Sequence, residues 1–169
     1  MIASLIQDLR QPEYVHVLIN PLPVYGLAMG VVGLIVALIQ RSRRAQVVGL
    51  TIILLTAAMA WPVAHYGEEG EDRVLAMSDD TGQAWLKVHA HRVDQFIWFF
   101  YALAAVAAAA IFAPLKWPKA RTALTSITLL VALIVLGMGG YIAYAGGKIR
   151  HKEFRNEPPP PVPVEEDER

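Results

Sequence analysis

Four long apolar runs, separated by polar segments, constrain the fold of this 169-residue chain more than any other feature. Each run is nearly free of charge, and together they cover residues 24–39, 47–64, 96–113 and 123–145. A helix needs about 20 mostly apolar residues to cross a bilayer, and each run approaches that length. Because 55% of the residues are hydrophobic, a soluble domain is a poor alternative. We therefore predict an all-α integral membrane four-helix bundle, with spans at about residues 21–40, 46–65, 94–113 and 122–145.

The segment before span 1 contains two local signals. In residues 1–14, apolar residues recur at helical spacing. This pattern predicts a short helix in the membrane interface, with a frayed end packed on the bundle as the alternative. Asn20 followed by Pro21 is typical of a helix N-cap and first helical position. We therefore expect His16 to precede span 1, at the membrane surface.

The predicted transmembrane domain, residues 15–147, is interrupted by one long polar connection between spans 2 and 3. Trp61 and Pro62 are expected to end span 2, and residues 67–77 to form a short helix outside the membrane. Residues 78–82, Ser-Asp-Asp-Thr-Gly, are a turn and cap signal, after which a helix from Gln83 is expected to continue into span 3.

The tail is the third predicted region. Gly146 and Gly147 are expected to end span 4, and residues 148–169 follow as a tail that is first basic, then Pro-rich and acidic. Its four consecutive prolines, at 158–161, predict an extended polyproline II segment without a core of its own.

Composition excludes several functions. The net charge is zero, so the chain has no electrostatic footprint for nucleic acid. It has no cysteine, which removes disulfides, thiolate metal sites, iron–sulfur clusters and covalently attached haem. No span carries a charge at depth, which argues against an ion pathway or a transporter. No nucleophile motif is present, so we expect no catalytic activity of its own.

Four crossings put both termini and the long connection on one side of the membrane. The two short loops carry six Lys or Arg and no acidic residue, and the positive-inside rule assigns them to the cytoplasm. Eight Lys or Arg on the other side oppose this assignment. Because the 41–44 cluster follows the first span, we predict that the termini lie outside the cytoplasm.

This topology also brings all five histidines to one membrane face, where a cofactor is one interpretation. A b-type haem would take His65 from span 2 and either His89 or His91 from span 3, since residues two apart on a helix face opposite ways. His16 is a further candidate on the same face, and the glycines at 137, 139 and 140 leave room for a flat macrocycle.

Two other interpretations stay open. A divalent metal site would use His65 and His89 with Glu68 or Glu71, since imidazole and carboxylate suit zinc, iron or manganese. Alternatively no cofactor is bound, because His, Trp and Tyr are common at the membrane boundary and glycines serve helix packing.

Three features of the chain form a pattern: His16 with Asn20-Pro21-Leu22-Pro23, then Gly67-Glu68-Glu69-Gly70-Glu71, then His89 or His91. With this pattern the chain resembles an uncharacterised family of small four-span bacterial inner-membrane proteins. Gly70 stands where the family pattern has alanine. The resemblance covers most of residues 15–147 and implies the architecture and a bacterial inner-membrane location, but no reaction. In such a membrane, the orientation predicted from the loop charges makes the termini periplasmic.

The function that these features predict is a small membrane subunit of a larger energy-transducing or electron-transfer complex, acting mainly by packing. It would contact the lipid bilayer, and other subunits through its glycine-containing helix faces and its Pro-rich tail. The alternative is a free-standing b-type cytochrome or metal-dependent oxidoreductase that exchanges electrons with a quinone or a periplasmic carrier.

Overall fold

The computed structural model describes residues 2–162, which are 86% helical and contain no strand. A π-helical turn, Leu22–Gly26, joins the second and third α-helices, and short 3-10 turns follow the sixth and seventh. The seven α-helices are α1 Ile2–Asp8, α2 Pro12–Ile19, α3 Leu27–Ile39, α4 Arg43–Ala58, α5 Ala60–Ala76, α6 Asp80–Lys116 and α7 Arg121–Arg150. The predicted all-α class is confirmed.

These helices form four columns that are long and apolar enough to cross a membrane: Pro12–Ile39, Arg43–Ala76, Asp80–Lys116 and Pro118–Arg150. The columns contain 28, 34, 37 and 33 residues, well above the roughly 20 that a crossing requires. At 1.5 Å per residue the longest is about 55 Å, against a hydrocarbon thickness of about 30 Å. Part of each column therefore extends beyond a bilayer.

Proline and glycine do not end the helices where the sequence predicted. Pro62 lies in the first turn of α5, where its missing N–H has no intrahelical partner to lose, so the column breaks only at Met59 and continues to Ala76. The helix therefore continues past Trp61 and Pro62, where span 2 was predicted to end. In the same way α7 continues past Gly146 and Gly147 to Arg150. The ends of the spans themselves stay predictions.

The predicted position of His16 before a helix is wrong as well. Pro12 begins α2, which contains His16, and Asn20 has helical backbone angles instead of capping a new helix. The signal at residues 78–82 is confirmed. The Asp79 carboxylate accepts a hydrogen bond from the Gly82 amide at 2.9 Å, and α6 continues unbroken into span 3.

Glycines on α3 and α4 permit the close contact between these helices. A Cβ on Gly30 would lie 2.8 Å from Ile53 Cγ1, and a Cβ on Gly49 would lie 3.1 Å from the Leu34 backbone. The close approach at these glycines therefore joins two helices of the same chain. Small residues at a helix contact allow the two backbones to approach closely, which increases van der Waals packing.

Gly30→Val is expected to destabilise the fold by about 1–3 kcal/mol, because overpacking forces α3 and α4 apart. Gly33→Val is the matched control on the same helix, since a Cβ there has no neighbour within 4 Å. Detergent denaturation followed by circular dichroism measures both. Equal stabilities for the two variants would contradict the packing argument.

A side chain from α4 compensates for a proline in α6. Pro114 has no N–H to donate to the Ala110 carbonyl. The Arg43 guanidinium donates to that oxygen at 3.2 Å and to the Ile111 oxygen at 3.0 Å. This contact fastens α4 to α6 at the end of the bundle that carries the short loops.

The described part of the tail docks on the opposite end of the bundle. Arg155 donates to both carboxylate oxygens of Asp79, at 2.8 and 2.9 Å, and Glu157 accepts from Tyr144 at 2.6 Å. Val162 packs against the buried Trp85 cluster. Pro158–Val162 form neither helix nor strand. The acidic end predicted at 163–169 lies outside the described residues.

Tail docking is expected to weaken only at strongly acidic pH. Hydrogen bonds from Lys152, Arg155 and the Gly82 amide lower the pKa of Asp79 to about 2. A carboxylate whose folded pKa lies below its usual value of about 4 stabilises the docked state above pH 4. That contribution is lost as the pH falls from about 4 through 2.

The Gly82 amide shift in an NMR titration should report this transition, with a midpoint near the Asp79 pKa. The double variant Lys152→Gln, Arg155→Gln should raise the midpoint toward the ordinary carboxyl value, because it removes both charged donors. A midpoint already at the ordinary value in the unmodified protein would show that the tail does not dock through Asp79.

Candidate cofactor site

A cavity of about 530 Å³ lies between the packed pair α2 and α5 on one side and the packed pair α6 and α7 on the other. Its size falls within the range of small-molecule and cofactor sites, about 300–1,000 Å³. Phe100 and Gly139 line its deep part, while Glu71 and Arg150 lie nearer the helix ends. Most of the wall area is apolar, and the polar groups on it include four carboxylates, those of Glu13, Glu68, Glu71 and Asp94.

Two histidines line this cavity from different walls, His16 on α2 and His89 on α6. His16 Nδ1 lies 2.8 Å from the Val63 carbonyl oxygen, and His89 Nδ1 lies 3.1 Å from the Ile142 carbonyl oxygen. A carbonyl only accepts, so each Nδ1 must carry the proton, and each Nε2 keeps its lone pair. Among residues 5–162, no hydrogen bond engages either Nε2. Metal-ligating histidines typically have this arrangement.

Each imidazole also packs directly on a glycine. A Cβ on Gly67 would lie 3.0 Å from His16 Nδ1, and a Cβ on Gly146 would lie 3.1 Å from His89 Nδ1 and Cε1. Both glycines are inside helices and have ordinary negative φ angles, so they are not required by backbone conformation. Their role is to admit the rings, and each ring is therefore held by a carbonyl and by a helix surface.

The predicted pairing of His65 with His89 or His91 is not the one that the structure assembles. On α5, the cavity wall includes Ala64, Gly67 and Glu68, which follow helical spacing, and His65 lies off that stripe. Its exposed ring stacks on Trp61 with centroids 5.5 Å apart. His91 is also absent from the cavity wall, as expected for a residue two positions from His89.

The predicted metal set is not brought together either. Glu68 and Glu71 line the cavity with His89, but His65 does not. Within the described part of the chain, no group of three or more His, Asp or Glu side chains converges to hold a metal ion. Of the three glycines predicted to admit a macrocycle, Gly139 lines the cavity, while a Cβ on Gly137 or Gly140 would meet open space.

Arg92 lines neither the cavity nor its mouth, but it is a buried residue of α6, close to His89 in sequence, that the sequence interpretation missed. It is 6% exposed, donates from Nη1 to the Tyr141 carbonyl oxygen at 2.7 Å, and lies 3.6 Å above the Tyr141 ring centroid. It fastens α6 to α7 beside the His89 wall. The sequence does contain a signal for it. Arg92 lies one helical turn before the apolar run of span 3, and an arginine in such a position is buried only when it has a partner.

These features define a class of protein: an all-helical chain with four helices long and apolar enough to span a membrane, and a histidine-lined cavity at the end that carries the long connection. No protein-family model, no curated protein and no solved structure matches the chain. The resemblance to four-span bacterial proteins therefore stays a prediction.

Proposed function

We propose that this protein is a small membrane b-type cytochrome that holds haem b between His16 and His89 and passes single electrons at the membrane surface. The observation that carries the proposal is the pair of imidazoles on two walls of one cavity, each with Nδ1 bonded to a main-chain carbonyl and Nε2 left free.

The residues of the cavity fit the group. The apolar walls suit a macrocycle, and the glycine contacts hold each imidazole ring without a side chain in the way. Arg150, also on the wall, offers a cation to a propionate carboxylate. When bound, the haem would supply one-electron redox chemistry.

The role of the protein groups follows from this arrangement. Val63 and Ile142 orient the rings and raise the basicity of Nε2 through their hydrogen bonds. His16 and His89 would hold the haem through their Nε2 atoms, and a haem held by two imidazoles would supply electron transfer rather than oxygen activation. The apolar walls restrict water and thereby tune the reduction potential.

On this proposal the protein lies in a bacterial inner membrane with periplasmic termini, so the cavity faces the periplasmic side. Support comes from the six basic residues of the short loops at the other end. It serves either as a subunit of an electron-transfer complex or alone. Blue-native migration in mild detergent separates these two forms.

A reduced-minus-oxidised visible spectrum of the purified protein, with haem extraction for stoichiometry, tests the proposal. We expect a b-type spectrum and about one haem per chain, because the cavity presents one histidine pair. A protein that carries no haem after expression with excess haem precursor, and that does not bind added haemin, would overturn it.

A further inference from the structure

A second cavity, of about 440 Å³, lies between α5 and α6 on the other side of the wall that they form. Its two tryptophans, Trp61 and Trp98, are 62% and 70% exposed, so the cavity opens on the outer surface of the helices. The side chains that give it chemistry are three aromatic residues, one histidine and two carboxylates: Trp61, Trp98, Tyr101, His65, Glu68 and Asp94.

The two cavities share a wall. Glu68 and Asp94, with the small residue Ala64, line both. A molecule in the second cavity would therefore be separated from the histidine-lined cavity by single side chains. Its deep end is aromatic and its carboxylates lie toward the helix ends, since Trp61 and Tyr101 are nearest the apolar runs.

The lining selects a ligand that is aromatic and donates hydrogen bonds. Carboxylate oxygens accept hydrogen bonds, so Glu68 and Asp94 favour a ligand that donates them. Trp98 and Tyr101 offer ring faces and edges for stacking. No Lys or Arg lines the cavity, so an anion would be repelled. A dihydroxy-aromatic ring that arrives through the lipid meets each of these conditions.

We propose that this second cavity binds a membrane quinol, with its hydroxyl groups donating to Asp94 and Glu68 and its ring beside Trp61 and Trp98. The proposal rests on the haem-binding function above, because the electrons need an acceptor in the adjoining cavity. His65, which the sequence placed among the haem ligands, is here part of the quinol site.

The reaction balances as follows. Oxidation of one quinol to the quinone breaks two O–H bonds and releases two protons and two electrons. A haem held by His16 and His89 in the adjoining cavity would accept the electrons one at a time, and a soluble one-electron carrier at the water boundary would remove each in turn. The protons pass to the carboxylates of Asp94 and Glu68 and from there to water.

Stopped-flow reduction of the haem-loaded protein by decylubiquinol tests the proposal. We expect Trp98→Ala and Asp94→Asn to slow reduction about tenfold or more, since a lost stacking contact or a lost hydrogen bond to a charged group has that effect on a rate. Trp117→Ala and Asp72→Asn are the matched controls. Trp117 is an exposed tryptophan at the opposite end of the bundle, and Asp72 is an exposed carboxylate on α5 outside both cavities.

The outcomes separate the two proposals. Dithionite reduction and haem content should be the same in Trp98→Ala as in the unmodified protein, because Trp98 lines only the second cavity. A normal haem spectrum with unchanged quinol rates in both site variants would overturn the quinol site and leave the haem site standing. In a protein without haem, calorimetry with decylubiquinol decides the binding site directly. Binding of tetramethylammonium without binding of the quinol would assign the cavity to a cation and overturn the proposal.

Discussion

His89→Ala is expected to abolish haem binding, and His16→Ala to remove at least the low-spin b-type spectrum. Each variant removes one of the two imidazoles whose Nδ1 is held by a carbonyl and whose Nε2 is free. The measurement is haem stoichiometry after purification, together with the reduced spectrum and the affinity for added haemin. Any haem that a variant still holds would have only one imidazole ligand, so it should bind carbon monoxide.

The controls are the other two histidines that the sequence predicted as haem ligands, His65 and His91. His91→Ala changes an imidazole two residues from His89, and His65→Ala changes one on α5, and neither residue lines the histidine-lined cavity. Both variants should keep full haem content. Haem lost in His65→Ala but kept in His16→Ala would restore the pairing predicted from sequence and contradict the arrangement described here. Circular dichroism should show that all four variants remain helical.

The four long apolar helices could be predicted because each depends on one property, a long uncharged apolar run. The helix ends could not, since a proline has opposite meanings in the interior of a helix and in its first turn. Pro62 lies in a first turn only because the column breaks at Met59, three residues earlier, and no local signal marks that break. The same ambiguity at Pro21 and Pro23 hid the helical turn that joins α2 to span 1.

The histidine pair was missed for a related reason. Once α2 is treated as a loop, His16 has no defined direction, and His65 becomes the natural partner for span 3. Choosing between His65 and His16 requires the angular position of each on its helix, and that position depends on tertiary contacts such as His16 with Gly67. Helical periodicity alone predicted that only one of His89 and His91 could face the cavity, because residues two apart on a helix point to nearly opposite sides. The tail contact joins Arg155 to Asp79 across 76 residues, and nothing local predicts it.

Gly146→Val is expected to weaken haem binding about 10- to 100-fold while leaving both histidines in place, as is typical for the loss of a group that orients a metal ligand. A Cβ on residue 146 would lie 3.1 Å from the His89 ring, and valine adds two methyl groups to that Cβ. The ring must then turn away from the Ile142 carbonyl, which releases the Nδ1 hydrogen bond. Haemin titration of the haem-free protein gives the affinity.

Gly147→Val is the matched control, because it has the same change in helix propensity one residue further along α7 and a Cβ there has no neighbour within 4 Å. It should bind haemin as the unmodified protein does. If both variants lose affinity equally, the effect belongs to the helix and the glycine at 146 has no special part in holding His89. If only Gly146→Val loses affinity while its circular dichroism is unchanged, then the orientation of His89, and not its presence alone, determines the strength of the site.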